Sequence, residues 1–169
     1  AHYLRLREEG ARLVFVNGNS EALPVSSVGV DERASGRLAT EHLLELGHRR
    51  IGFAAGHAFA QPTREKLAGR AEALREAGID PAEHVEHADF TVSGGRQALR
   101  AIMESANGNR PTGIICSNDL VAIGALQEAT VLGLRVPQDL SIVGFDGIDA
   151  ATWTQPALTT VEQPIDEIA

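Results

Sequence analysis

The chain has 169 residues, of which 43% are apolar, and carries a formal net charge of −8 with an isoelectric point near 5.2. This length suits one compact unit with a sizeable core. The acidic balance disfavours nonspecific nucleic-acid binding, which depends on clustered Lys and Arg side chains at phosphates. Cys116 is the only cysteine, so an intrachain disulfide is excluded and the composition fits a reducing cytoplasm.

Nothing in the sequence predicts a membrane span or export. No run of about 18 apolar residues occurs along the chain, and the first residues lack the apolar core of a signal peptide. We therefore expect a cytoplasmic protein with no membrane partner.

Short apolar runs alternate with segments of helical period, which is typical of βαβ units and predicts a mainly parallel sheet. The first ten residues resemble the end of a helix. Six runs predict strands: 13–16, 25–30, 51–55, 85–90, 112–116 and 140–145. Four helices are predicted from their capping residues: Asp31 or Ser35, a start near Thr63, Ser93, and Ser117 or Asn118. The segment 164–167 has the pattern of a helix's first turn.

The sequence lacks the usual enzymatic signatures of α/β proteins, namely a phosphate-binding glycine loop, a dinucleotide fingerprint and a nucleophile elbow. His84 and His87, three residues apart near a strand, would point to opposite faces and not towards one metal. Cys116 ends an apolar strand and is expected to be a small buried hydrophobe. We therefore predict no catalytic residue, cofactor or metal.

Polar and aromatic residues stand just past several predicted strands: Asn17, Phe90, Asn118 with Asp119, and Asp146. In an open parallel sheet the carboxyl ends of the strands face a ligand crevice. Carboxylate and amide groups there would suit a small polyol, and an aromatic face would pack against the C–H side of its ring. Asp and Asn after strands are also ordinary turn and cap residues, so both interpretations remain open.

Four segments together resemble the lactose/galactose-repressor family of bacterial transcription regulators: Gly47–Phe53, Asn118–Ala125, Val136–Asp146 and Pro156–Pro164. The resemblance covers essentially the whole chain. It implies the type I periplasmic-binding-protein core, an α/β fold with two doubly wound lobes joined by crossing strands. Residues 1–30 would then end the N-terminal lobe, 31–160 would form most of the C-terminal lobe, and 161–169 would return to the first lobe.

Carried over position by position, the resemblance implies six residues that line an effector cleft: Asn17, Lys66, Phe90, Asn118, Asp146 and Gln163. Asp119 is expected to support its helix cap. Lys66 departs from the family pattern, in which most relatives have Arg. Purine-sensing relatives have Arg and Thr where this chain has Ala60 and Pro62, which favours a sugar or sugar derivative over a purine.

The implied function is allosteric control of operator DNA by a small sugar-like effector bound between the lobes, through a helix-turn-helix headpiece expected to be absent from this chain. A homodimer is expected because the helix from Asn118 to Val131 carries Leu120, Val121 and Ile123, more apolar surface than one core stripe needs. The alternatives are the sugar-binding protein of an ABC transporter and a small α/β enzyme that uses Asp146 or His48 as acid or base.

Overall fold

The structure, a computed structural model, describes residues 2–17, 25–82, 84–106 and 108–168. Its strands are β1 (Val14–Val16), β2 (Ser26–Val28), β3 (Ile51–Ala55), β4 (Val85–His87), β5 (Gly113–Cys116), β6 (Ser141–Asp146) and β7 (Thr159–Glu162). Its helices are α1 (His2–Glu8), α2 (Glu32–Glu45), α3 (Gln61–Glu76), α4 (Val92–Ser105), α5 (Asp119–Val131), α6 (Asp149–Thr152) and α7 (Ile165–Ile168).

The chain divides into two compact units, one formed by Ala1–Asp31 with Pro164–Ala169 and the other by Glu32–Gln163. In the smaller unit β1 and β2 pair in parallel, with Val14 opposite Ser26. The assignment of these units to the lobes of a longer core remains a prediction. Within the described residues, no helix combines the length and apolar character that crossing a membrane requires.

The larger unit is built on a five-stranded sheet in the order β4-β3-β5-β6-β7, with every neighbouring pair parallel. Because side chains alternate along a strand, β3 serves both faces of this sheet. Phe53 and Ala55 pack with residues of α2 and α3, while Ala54 packs with residues of α4 and α5. Helices therefore cover both faces, which confirms the predicted doubly wound parallel α/β fold.

Glycines bring the helices on each face into close contact. A Cβ added to Gly69 in α3 would lie 1.9 Å from the Arg33 carbonyl oxygen in α2. On the other face, a Cβ on Gly95 in α4 would lie 2.0 Å from the Val121 carbonyl oxygen in α5. These backbones approach more closely than any larger residue would allow.

Element boundaries differ from the predictions at several ends. The cap of α4 is Thr91, whose Oγ1 accepts a hydrogen bond from the Gly94 amide at 3.0 Å, and not Ser93 as predicted. Helix α3 begins at Gln61, so Pro62 lies within its first turn, where a missing N–H costs nothing. Helix α6 and strand β7 are not predicted as separate elements, since their sequences, DAAT and TTVE, contain no continuous apolar run.

Candidate functional site

The candidate site lies at the carboxyl edge of the five-stranded sheet. Phe90 follows β4, Asn118 follows β5, Asp146 ends β6 and Gln163 follows β7. Since all five strands are parallel, these ends share one edge. The predicted placement of Phe90, Asn118 and Asp146 at strand ends is confirmed, and Gln163 lies at the same edge. The contact of these residues with a ligand remains a prediction.

Asp146 has an unusual backbone conformation, with φ of +108° in the left-handed region that favours glycine. The next residue, Gly147, has φ of +71°. Gln163 Nε2 donates a hydrogen bond to Asp146 Oδ1 at 2.5 Å. Burial raises the pKa of the Asp146 carboxyl above its ordinary value, while this hydrogen bond and the charge of Lys66 oppose the rise. Strain of this kind at a strand end is concentrated at functional sites.

Lys66 is buried, with only 5% of its surface exposed. Its Nζ lies 2.5 Å from Glu32 Oε2 and 4.8 Å from the centre of the Phe145 ring. Glu32 is not among the site residues predicted from the sequence, because it lies far from Lys66 in the chain and on a different helix. Acidic residues are common in the first turn of a helix because they interact favourably with the helix dipole. The position of Glu32 therefore does not by itself predict an ion pair with Lys66.

Phe90 is half-buried against the loop that follows β3. A Cβ added to Gly56 would lie 2.1 Å from the Phe90 ring, and the His57 ring packs edge-on to Phe90 at 5.3 Å. The other face of this small cluster is Phe59, which stacks on His57 at 5.1 Å and is 80% exposed. Phe59 is not among the site residues predicted from the sequence, although an aromatic residue in a loop past a strand is a recognisable signal.

Asn118 caps α5, because its Oδ1 accepts a hydrogen bond from the Val121 amide at 2.9 Å. The cap uses only the amide oxygen, so the side-chain NH₂ group of Asn118 can still donate hydrogen bonds. The expectation that Asp119 supports the same cap is wrong. Asp119 is fully buried, and its carboxylate accepts hydrogen bonds from the Ile148 amide at 2.9 Å and from Thr160 Oγ1 at 2.7 Å. It therefore joins α5 to the segment after β6 and to β7.

Two buried hydroxyl groups lie near this edge without hydrogen-bond partners among the described residues. Thr63 Oγ1 belongs to the first turn of α3, beside Gly56, and Ser117 Oγ follows β5 directly. An unsatisfied buried polar group costs about 1–3 kcal/mol. Such groups are expected where a water molecule or ligand completes the structure.

Asn17 belongs to the smaller unit, where it is exposed and follows β1 with φ of +50°. Its amide donates a hydrogen bond to the Val28 carbonyl at 2.9 Å. Gly29 makes room for it, since a Cβ there would lie 2.9 Å from Asn17 Oδ1. Its predicted role in the effector site remains a prediction.

His48 lies at the opposite end of the sheet from Asp146. Its ring nitrogens are 2.9 Å from Thr112 Oγ1 and 3.0 Å from Ser141 Oγ, at the starts of β5 and β6. Burial, followed by the charge of His42, lowers its pKa. His48 therefore fastens the amino ends of two strands and cannot share a reacting centre with Asp146.

The remaining residues with reactive or metal-binding side chains are not arranged as a reactive or metal site in the described residues. Cys116 is fully buried in the core, as predicted, and burial raises the pKa of its thiol. Across the described ranges no three His, Cys, Asp or Glu side chains are grouped as metal ligands.

Comparison with known proteins identifies the family. Residues 40–169 match the model of the periplasmic binding protein-like domain. An uncharacterised HTH-type transcriptional regulator from the aml 5′ region of Streptomyces limosus is 43% identical over 99% of this chain and 48% of its own length. The chain thus spans about half the length of the curated relatives it matches.

Two solved structures share the fold at high similarity. The complex of the transcriptional regulator CelR with cellobiose has a TM-score of 0.90 and 35% identity, covering 96% of this chain and 50% of that one. A LacI-family regulatory protein from Chloroflexus aggregans has a TM-score of 0.90 and 29% identity, covering 98% of this chain and 59% of that one. The chain therefore belongs to the family of periplasmic binding protein-like domains, in the form found in LacI-family transcription regulators.

Proposed function

We propose that this chain is the effector-sensing part of a bacterial transcriptional repressor and binds a small sugar-like ligand at the carboxyl edge of its five-stranded sheet. The observation that carries the proposal is Asp146, a half-buried carboxylate held by Gln163 on a strained strand end. The relatives are transcription regulators, not enzymes, and one is a cellobiose complex. They favour this function over both the transporter component and the α/β enzyme.

The side chains at this edge suit a polyhydroxylated ligand. The Asp146 carboxylate can accept hydrogen bonds from two sugar hydroxyls, and the Asn118 amide group can donate one. Phe90 offers an aromatic face for the C–H side of a sugar ring. None of these groups is arranged to make or break a bond, so the chemistry supports binding and release.

In the proposed mechanism the effector stabilises one of two conformations of the full-length protein and thereby changes its affinity for operator DNA. The DNA-binding module would be a helix-turn-helix carried elsewhere in the longer cytoplasmic protein, in line with the HTH-type relatives. Coupling of this kind is typically about 1–3 kcal/mol, or roughly 5- to 150-fold in affinity. Lys66, in the larger unit, belongs to the proposed effector site beside Asp146.

The proposal is tested by replacing Asp146 in the full-length protein. Binding of cellobiose, maltose and other neutral sugars is measured by calorimetry, first for the wild type and then for Asp146→Ala. We expect the best-binding sugar to lose at least tenfold in affinity, about 1.4 kcal/mol, because two accepting oxygens are removed.

The exposed Asp149, three residues further along, provides the matched control. Asp149→Ala removes the same charge from the same segment and should leave the affinity within twofold. A change of less than threefold in Asp146→Ala, below about 0.7 kcal/mol, would show that Asp146 is not a main contact.

A further inference from the structure

The buried ion pair of Lys66 and Glu32 helps to determine which sugars the site accepts, an inference that rests on the proposed function. Lys66 projects from α3 and Glu32 from the first turn of α2, and their charged atoms are 2.5 Å apart. The two side chains are only 6% and 9% exposed. Phe145, the residue before Asp146, closes the pair on one side.

Burial makes it costly to separate the two charges of this pair. Removing one partner would leave an uncompensated charge in a poorly solvated place, which costs far more than the pair gains. Lys66 is therefore held by Glu32 and is not a free cation that awaits a ligand. A lysine ammonium in a binding site would otherwise serve as a point charge for phosphate.

The charges around Asp146 give the same result. Lys66 is the cation that acts on the Asp146 carboxyl, and the anions that act on it are Asp119 and Glu32. Among the described residues, this part of the edge therefore has three carboxyl groups, those of Asp146, Asp119 and Glu32, and one ammonium group, that of Lys66. An anionic ligand beside Asp146 would meet net repulsion, whereas a neutral ligand could donate hydroxyl hydrogens to the carboxylate.

We propose that the site selects uncharged sugars and rejects phosphorylated sugars, and that Glu32 sets this preference by neutralising Lys66. Glu32 thus acts as a specificity-determining residue through Lys66, without a ligand contact of its own. The proposal separates two ligand classes that share the same ring and differ in one phosphate group.

The test compares matched sugars on the full-length protein: glucose, maltose and cellobiose against their 6-phosphates, together with inorganic phosphate. The wild type is expected to bind at least one neutral sugar at least tenfold more tightly than its phosphate. In Glu32→Gln, which keeps the size of the side chain and removes its charge, that preference should fall by at least tenfold. Glu104→Gln removes the same charge from an exposed position on α4 and should leave the preference unchanged.

The preference for neutral sugars is measured on the wild type without any substitution. It can therefore be tested even if Glu32→Gln does not fold. Equal or tighter wild-type binding of a phosphorylated sugar would overturn it, and so would an unchanged preference in folded Glu32→Gln. If no neutral sugar binds the wild type, the proposed function fails for these sugars. The role of Glu32 is then tested with inorganic phosphate. Phosphate should raise the melting temperature of Glu32→Gln and leave that of the wild type unchanged. If phosphate does not stabilise Glu32→Gln, the proposed role of Glu32 is overturned.

Discussion

Asp119 is a fully buried carboxylate whose two oxygens accept hydrogen bonds from the Ile148 amide and Thr160 Oγ1. Gly144 in β6 provides the space, since a Cβ there would lie 2.2 Å from Asp119 Oδ1. We predict that Asp119→Asn lowers the free energy of unfolding by about 2 kcal/mol, because the amide NH₂ would face one of the two donors. Thermal or urea unfolding of the purified protein measures the loss.

Asp149→Asn makes the same chemical change at an exposed position in the first turn of α6. It should alter the free energy of unfolding by less than about 0.5 kcal/mol. Equal losses in the two variants would mean that the hydrogen bonds of Asp119 contribute nothing particular to stability.

At the scale of single residues, the sequence predicts where a side chain lies in the fold better than it predicts which other side chain it contacts. The placement of Asp146 and Asn118 at strand ends followed from apolar runs and cap signals that span a few neighbouring residues. The pairing of Lys66 with Glu32, and of Asp119 with Thr160, joins residues far apart in the chain. Such pairs depend on how two helices or a helix and a strand meet, which no local pattern records.

Among the elements, the two helix pairs depend on close backbone contact. Gly69→Ala should destabilise the protein by about 1–3 kcal/mol, because its Cβ would stand 1.9 Å from the Arg33 carbonyl oxygen and the two helices would have to move apart. The higher helix propensity of Ala, worth about 1 kcal/mol, acts in the opposite direction and limits the loss. Urea unfolding measures the balance.

Arg75→Ala in the same helix is the control, since Arg75 is exposed near its C-terminal end. It should change the free energy of unfolding by less than about 0.5 kcal/mol. Stabilisation by Gly69→Ala would contradict the prediction, because it would show that helix propensity outweighs the contact between α2 and α3.

The elements themselves were largely predictable, since β3 is reproduced at both ends and α2, α4 and α5 lie where their apolar period indicated. Their caps were less certain. Thr91 and Ser93 are both hydroxyl residues two positions apart, and only the hydrogen bond to Gly94 distinguishes them. The short α6 and β7 escaped prediction because their sequences, DAAT and TTVE, lack the continuous apolar run that marks the other short strands.

For the molecule as a whole, the alternation of strands and helices in the sequence predicts the parallel sheet. It does not predict which apolar residues of α5 are exposed. Val121, expected to add apolar surface, is fully buried in the core. Leu120 and Val131, at the two ends of α5, are exposed. Their separation of eleven residues is about three helical turns, so both lie on the same face. We propose that this face forms the interface of the homodimer expected from the sequence.

We therefore predict that the full-length protein sediments as a dimer and that Leu120→Glu combined with Val131→Glu weakens the dimer at least tenfold. In a twofold dimer, each introduced glutamate would be buried against apolar surface or against the equivalent glutamate of the other subunit. Both environments are unfavourable for a negative charge. As a control, Leu46→Glu places one glutamate on an exposed leucine beyond α2 and should leave the dimer intact. Since dimers bind two half-sites of an operator together, the double variant should also lose operator affinity. A wild-type monomer at micromolar concentration, or a double variant that dimerises as well as the wild type, would place the interface elsewhere or remove it.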